Sequence, residues 1–126
     1  MTPSAFKDYI KEMSESEKHA VRSNLILLPQ HLLSRDYTTG TVLQYNQQGW
    51  EGQISDYRSR LLKLIEKRRG LKPVLNSVDL PGAYGLALRA VTKKFKEQCF
   101  TFPRSCPYSL EDAVGPEVWR KLNRLG

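Results

Sequence analysis

Apolar residues return every three or four positions along the first part of the chain, at Phe6, Ile10, Met13, Ala20, Val21, Leu25, Leu28 and Leu32. A half-buried strand would alternate with period two, so this spacing admits one local solution, a long amphipathic helix with its apolar side against a core. The pattern predicts that helix from about Ser4 to Arg35. Ser14, with Glu17 three residues on, has the spacing of a capping box and offers a second start, and Pro29 removes one backbone hydrogen bond and should kink the distal part. Either break leaves the stripe continuous.

The segment from Asp36 to Gly49 is rich in Thr, Asn, Gln and Gly and has no helical period, so it is expected to be a connecting loop. A second helix is predicted from about Trp50 to Arg69, with Ile54, Tyr57, Leu61, Leu64, Ile65 and Arg68 along one side and Gly70 as its C-terminal cap. Lys72-Pro73-Val74-Leu75 suggests a short helical turn, and Pro81-Gly82 opens a third long helix to about Glu97 with Tyr84, Leu88, Val91 and Phe95 inward. Ser109 is placed to cap a short helix, and Pro116 to begin a last one with Val118, Trp119, Leu122 and Leu125 inward. The expected fold class is all-α: one domain over residues 1–126, a small bundle of three long helices plus short C-terminal helices.

Surface scaling for 126 residues has about two thirds of the unfolded surface buried, enough for one core and not for two. No stretch approaches the roughly 20 apolar residues of a bilayer span, and the N-terminus, with Lys7, Asp8, Lys11 and Glu12, does not read as a secretion signal. A cytoplasmic protein with no membrane partner is the default expectation. Cys99 and Cys106 have no nearby His to complete a four-ligand zinc set, so two free, partly buried thiols are expected, with no metal and no cofactor.

Several residues carry a resemblance to a known family. They are Ser16-Glu17-Lys18, Leu27-Leu28, His31-Leu32-Leu33, Trp50, Ile54, Arg58, Phe102-Pro103 and the run Cys106-Pro107-Tyr108-Ser109-Leu110-Glu111. With these the chain resembles the domain of unknown function 29 family, which is prokaryotic and abundant in cyanobacteria, over about residues 10–112. The resemblance implies a helical bundle and carries no established activity. It also implies an acidic chain with an additional Trp-bearing N-terminal helix that ends soon after the Cys-Pro-Tyr run. This chain instead reads as a short, basic member with an extra C-terminal helix at about residues 116–125.

Polar residues interrupt the first apolar stripe. At 100° per residue, Glu17, Asn24 and His31 all fall within about 20° of Phe6, and on the second helix Arg58 lies about 40° from Ile54. Burying an unpaired charge costs several kcal/mol, so these groups are expected to find one another, Glu17 gripping Arg58 through a bidentate pair. One reading makes Glu17, His31 and Arg58 the candidate catalytic set of a small hydrolase or metal-dependent enzyme, with Glu17 or His31 as general base and Arg58 as anion clamp. That reading requires a water-filled pocket open to all three. The other, which the lack of any nucleophile elbow, phosphate loop or His-Glu-x-x-His favours, is a satisfied buried network that fixes helix register. His19, about 140° away from the stripe, should face solvent.

The net charge of +7 is unevenly placed: residues 1–63 hold eight Lys and Arg against seven Asp and Glu, and residues 64–126 hold twelve against six. On the third helix Arg89, Lys93 and Lys96 fall opposite Tyr84 with no acid among them, and Arg120, Lys121 and Arg124 form a similar side on the last helix. Arg60, Lys63 and Lys67 also point outward, but Asp56, four residues before Arg60, is expected to neutralise much of that face. These patterns predict a non-enzymatic helical interaction module whose basic C-terminal half binds an acidic protein or a nucleic-acid backbone, DNA or RNA, as a subunit of a larger complex. A structural homodimer formed through the first helix is a further alternative.

Overall fold

A computed structural model describes residues 15–67 and 80–125. The expected start of the first helix, the Gly70 cap and the Lys72–Leu75 turn lie outside the described residues. Within them are five helices and no strand: α1 (Glu15–Tyr37), α2 (Gly40–Lys67), α3 (Leu80–Lys94), α4 (Leu110–Val114) and α5 (Pro116–Leu125). The all-α bundle is therefore as expected, with three long helices packed together and two short ones closing one end. Helix α1 packs against α2, α3 and α4, while α5 packs against α2 and α4.

The interior divides in two. Val21, Leu25, Leu28 and Leu32 of α1 meet Ile54, Leu61 and Ile65 of α2, together with Val114, Val118 and Leu122 from the closing helices. Leu33 turns the other way, into a second cluster with Trp50, Tyr84, Val91 and Phe95. Tyr108 packs against both. The single core expected from size alone is thus two clusters on different sides of α1, and α1 is not the one-sided helix that its stripe suggests: Leu33 and Ser34 are buried as well. Pro29 sits inside α1 without ending it.

The expected loop over Asp36–Gly49 is a correction. Only Thr38 and Thr39 separate α1 from α2, and α2 already runs from Gly40. Gly40, at φ +67, supplies the left-handed residue that lets the chain reverse there. Residues Thr41–Gly49 look poor as a helix, and each glycine inside one costs about 1 kcal/mol relative to Ala. Tertiary packing outweighs this. Val42 and Leu43 pack against the second cluster, seven or eight residues before Trp50, which is buried within it. A fully buried large apolar side chain contributes about 1.5–3 kcal/mol, more than the glycines remove.

Helix α3 stops at Lys94, three residues short of the expected Glu97, and turns through residues 95–99. There Cys99 adopts a left-handed φ of 57°. The halt lets Phe95 stack edge-on against Trp50 at 6.0 Å and against Phe100 at 5.8 Å. The C-terminal helices start where the sequence placed them. Ser109 caps α4 with both bonds of a capping box: its hydroxyl accepts from the Asp112 N–H at 3.1 Å, and the Asp112 carboxylate accepts from the Ser109 N–H at 3.0 Å.

Gly115 joins α4 to α5 at φ +90 and ψ 161, a region that side-chain-bearing residues avoid. A Cβ there would also lie 2.8 Å from Cδ and Nε of Arg58. Gly115→Ala should therefore lose about 1–3 kcal/mol in urea unfolding. Gly49 lies within α2 with nothing near its virtual Cβ, so Gly49→Ala should gain about 0.5–1 kcal/mol. Were residues 40–49 a loop, that gain would be absent.

Candidate functional site

The polar groups expected to form one buried network do not meet as expected: Asn24 and His31 bond back to their own helix and Arg58 bonds to α4. Asn24 donates from Nδ2 to the Ala20 carbonyl at 2.6 Å, His31 from Nδ1 to the Leu27 carbonyl at 2.7 Å, and Ser34 from Oγ to the Gln30 carbonyl at 3.0 Å. Each bond runs back four residues along the same helix. A short polar side chain on a helix finds the i−4 carbonyl within reach, so its donor needs no second helix. His31 also stands edge-on to Tyr57, with ring centroids 5.2 Å apart. Seven-residue steps along a helix are each about 10 Å, so Glu17 and His31 are separated by roughly 21 Å along α1 and cannot share one reacting atom. His19 is exposed as expected, its Nε2 within 3.3 Å of Ser23 Oγ.

Arg58 points inward, but to a different partner from the one expected. Its Nη2 donates to the Asp112 carbonyl at 2.7 Å and its Nε to the Ala113 carbonyl at 3.3 Å. It thus closes the C-terminus of α4, where a cation meets the negative end of the helix dipole and carbonyls left without intrahelical partners. The pairing with Glu17 gives way because the closing helices bring those carbonyls onto α2. Burial, and then the neighbouring charge of Arg35, hold the Arg58 guanidinium below its ordinary pKa.

Arg35 and Arg58 together line two clefts. One, of about 380 Å³, also takes in Glu51, Ser55, Ser59 and Glu117; the other, of about 580 Å³, takes in Asp36, Tyr108, Glu111 and Asp112. Both mix acids with the two arginines, which makes neither an anion clamp, and neither is lined by Glu17 or His31. Among the described residues no three His, Cys, Asp or Glu are grouped to hold a metal ion. Cys99 is exposed rather than partly buried, and half-buried Cys106 donates through Sγ to the Tyr108 carbonyl at 3.3 Å.

A tie that the sequence pattern did not reveal joins Arg35, Asp36 and Tyr108. The Asp36 carboxylate accepts from Arg35 Nε at 2.8 Å and from the Tyr108 hydroxyl at 2.9 Å. Desolvation, then the bond to Asp36, raises the pKa of the Tyr108 phenol. Across the second cluster, the Tyr84 hydroxyl donates to the Pro103 carbonyl, and desolvation raises its pKa to about 12. Position 108 in the Cys-Pro-Tyr run was the available signal for the first tie, but its partner, 72 residues away, was not.

The basic surfaces differ from one another. Arg89 and Lys93 on α3 and Lys96 in the following turn are exposed. None of the three takes part in an ion pair; among the described residues the pair formed is Arg35–Asp36. Lys94, which the helical pattern left unremarked, lies over the rings of Trp50 and Phe95 at 5.8 and 5.4 Å. On α5, Arg120 and Lys121 share a cleft of about 250 Å³ with Glu66 and Glu117, so that side is balanced by acids. The Arg124 side chain lies outside the description.

Both tyrosines bind their protons more tightly in the folded chain than in the unfolded one. Stability should therefore be unaffected by their ionisation below pH 9 and should fall as pH rises through 10 toward 12, because the unfolded state releases those protons first. The double variant Tyr84→Phe/Tyr108→Phe should be less stable at pH 7 by about 0.5–1.5 kcal/mol per lost bond and should show a flatter decline in urea midpoint above pH 10.

The residues that carry the family resemblance now have physical roles: Leu28, Leu32, Leu33, Trp50 and Ile54 fill the two clusters, Pro103 and Tyr108 anchor the loop, Ser109 caps α4 and Arg58 closes it. These are roles in building a fold. No curated protein and no solved structure matches the chain. The matching family model extends beyond the expected 10–112 at both ends and reaches Trp119, within α5. The chain belongs to the family described as Domain of unknown function DUF29, whose model covers residues 5–119.

Proposed function

We propose that the chain is a non-enzymatic helical interaction module that binds a polyanionic partner, a nucleic-acid backbone or an acidic protein surface, through the outer face of α3. The observation that carries this reading is the set Arg89 and Lys93 on α3 and Lys96 in the turn after it, exposed and without an ion-pair partner among the described residues, beside a helix whose opposite side is anchored by buried Tyr84, Ala87 and Val91. Leu86, 50% exposed, lies seven residues before Lys93 on the same face and offers apolar contact beside the charges. Helix α5 contributes less, because Glu66 and Glu117 accompany its cations. The dispersal of Glu17, His31 and Arg58 argues against the hydrolase reading. No described helix is long and apolar enough to cross a membrane, and a cytoplasmic partner suits this reading.

Surface cations such as these contact phosphates or carboxylates without reading sequence, so affinity should fall steeply with salt. With three contacts, log K against log salt should slope at roughly −2 to −3 on duplex DNA. Anisotropy titrations with duplex DNA, single-stranded RNA and polyglutamate would identify the class of partner. Arg89→Glu/Lys93→Glu/Lys96→Glu should abolish binding while leaving the melting temperature near that of the parent, since all three side chains are exposed. The proposal fails if none of the three polymers binds at low salt, or if the triple variant binds as the parent does.

A further inference from the structure

The α2 face that carries Arg60, Lys63 and Lys67 is not neutralised as its spacing suggests. Arg60 lies over the Tyr57 ring, 5.5 Å from its centroid, and no ion pair with Asp56 forms. All three cations are exposed, and they border a groove of about 520 Å³ between α1 and the C-terminal half of α2. Ala20, Leu27 and Leu64 form its apolar floor, and His19 and Ser23 stand on the α1 side. Asn24 also lines it. That residue is 3% exposed, its Nδ2 is committed to Ala20, and its Oδ1 has no hydrogen-bond partner.

We infer that this groove seats an acidic amphipathic helix of a partner protein. The cations fall at i, i+3 and i+7, a straight row about 10 Å long parallel to the α2 axis, and they occupy one wall only. A single carboxylate or phosphate head would leave most of that row unused, and a nucleic-acid backbone has no use for the apolar floor. A helix with acids at the same spacing matches the row, and its adjacent apolar stripe enters the floor, the usual mode of helix-in-groove recognition. This surface lies on α1 and α2, apart from the α3 face proposed above, and does not depend on that reading.

The probe is a fluorescein-labelled, helix-stabilised peptide about four turns long, with Leu along one stripe and Glu along one flank. Anisotropy should report binding in the micromolar range, weakened at least about tenfold by Arg60→Glu/Lys63→Glu/Lys67→Glu. Amide shifts on binding should concentrate at Ala20, Asn24 and Leu27. If melting shows that the triple variant does not fold, Lys63→Glu alone should still weaken binding severalfold. Equal binding of a scrambled peptide of the same composition, undiminished binding by the groove variants, or no binding up to about 1 mM would overturn the inference. Arg89→Glu/Lys93→Glu/Lys96→Glu should bind the peptide as the parent does, and this separates failure of the groove from failure of the α3 reading.

Discussion

Adjacent residues Leu32 and Leu33 are both fully buried, yet they face different clusters. Neighbours on a helix point about 100° apart, so a helix that buries both must be covered on two sides. This makes α1 the element around which the rest is arranged: α2 lies against it, α3 covers the Leu33 side, and α4 closes the end near Leu32. Its polar residues follow from the same constraint. Asn24 and Ser34, with Thr38 just beyond its end, are buried and each spends its donor on the carbonyl one turn earlier, while the Asn24 Oδ1 is left without a partner.

The closing end depends on α2 reaching across the chain. Helix α4 has only five residues and would not persist alone, since nucleation is costly and few hydrogen bonds follow it. Its N-terminus is held by Ser109 and Asp112, its C-terminus by Arg58, and the glycine after it gives the guanidinium room. Tyr108, immediately before the cap, is tied to Asp36 at the far end of α1. Arg58 and Asp36, both distant in sequence, thereby join the local cap in fixing a single turn of helix.

What could be read from the chain was whatever a local rule decides. The three-to-four spacing, the serine cap, and prolines at helix starts gave the fold class and the starts of α4 and α5. The Thr-Asn-Gln-Gly segment after Asp36 misled because low propensity is a local signal, whereas Val42, Leu43 and Trp50 gain their stabilisation from contacts with Leu33, Tyr84 and Phe95. Arg58 was legible as an inward residue, but its partners were not. The stripe fixed its direction, and only the docking of α4 decided that carbonyls rather than Glu17 would meet it.

Charge divides in the same way. The sequence by itself determined that the chain is helical, that its excess positive charge follows residue 63, and that α3 has a face without acids. Only the tertiary structure decided which cations are available to a partner. It set Arg120 and Lys121 beside Glu66 and Glu117, placed Lys94 on aromatic rings, and drew Arg60 onto Tyr57 instead of Asp56. Helical periodicity fixes the direction of a side chain from its own axis. What stands opposite it depends on how helices distant in sequence pack, and that is set by the burial of the two clusters on either side of α1.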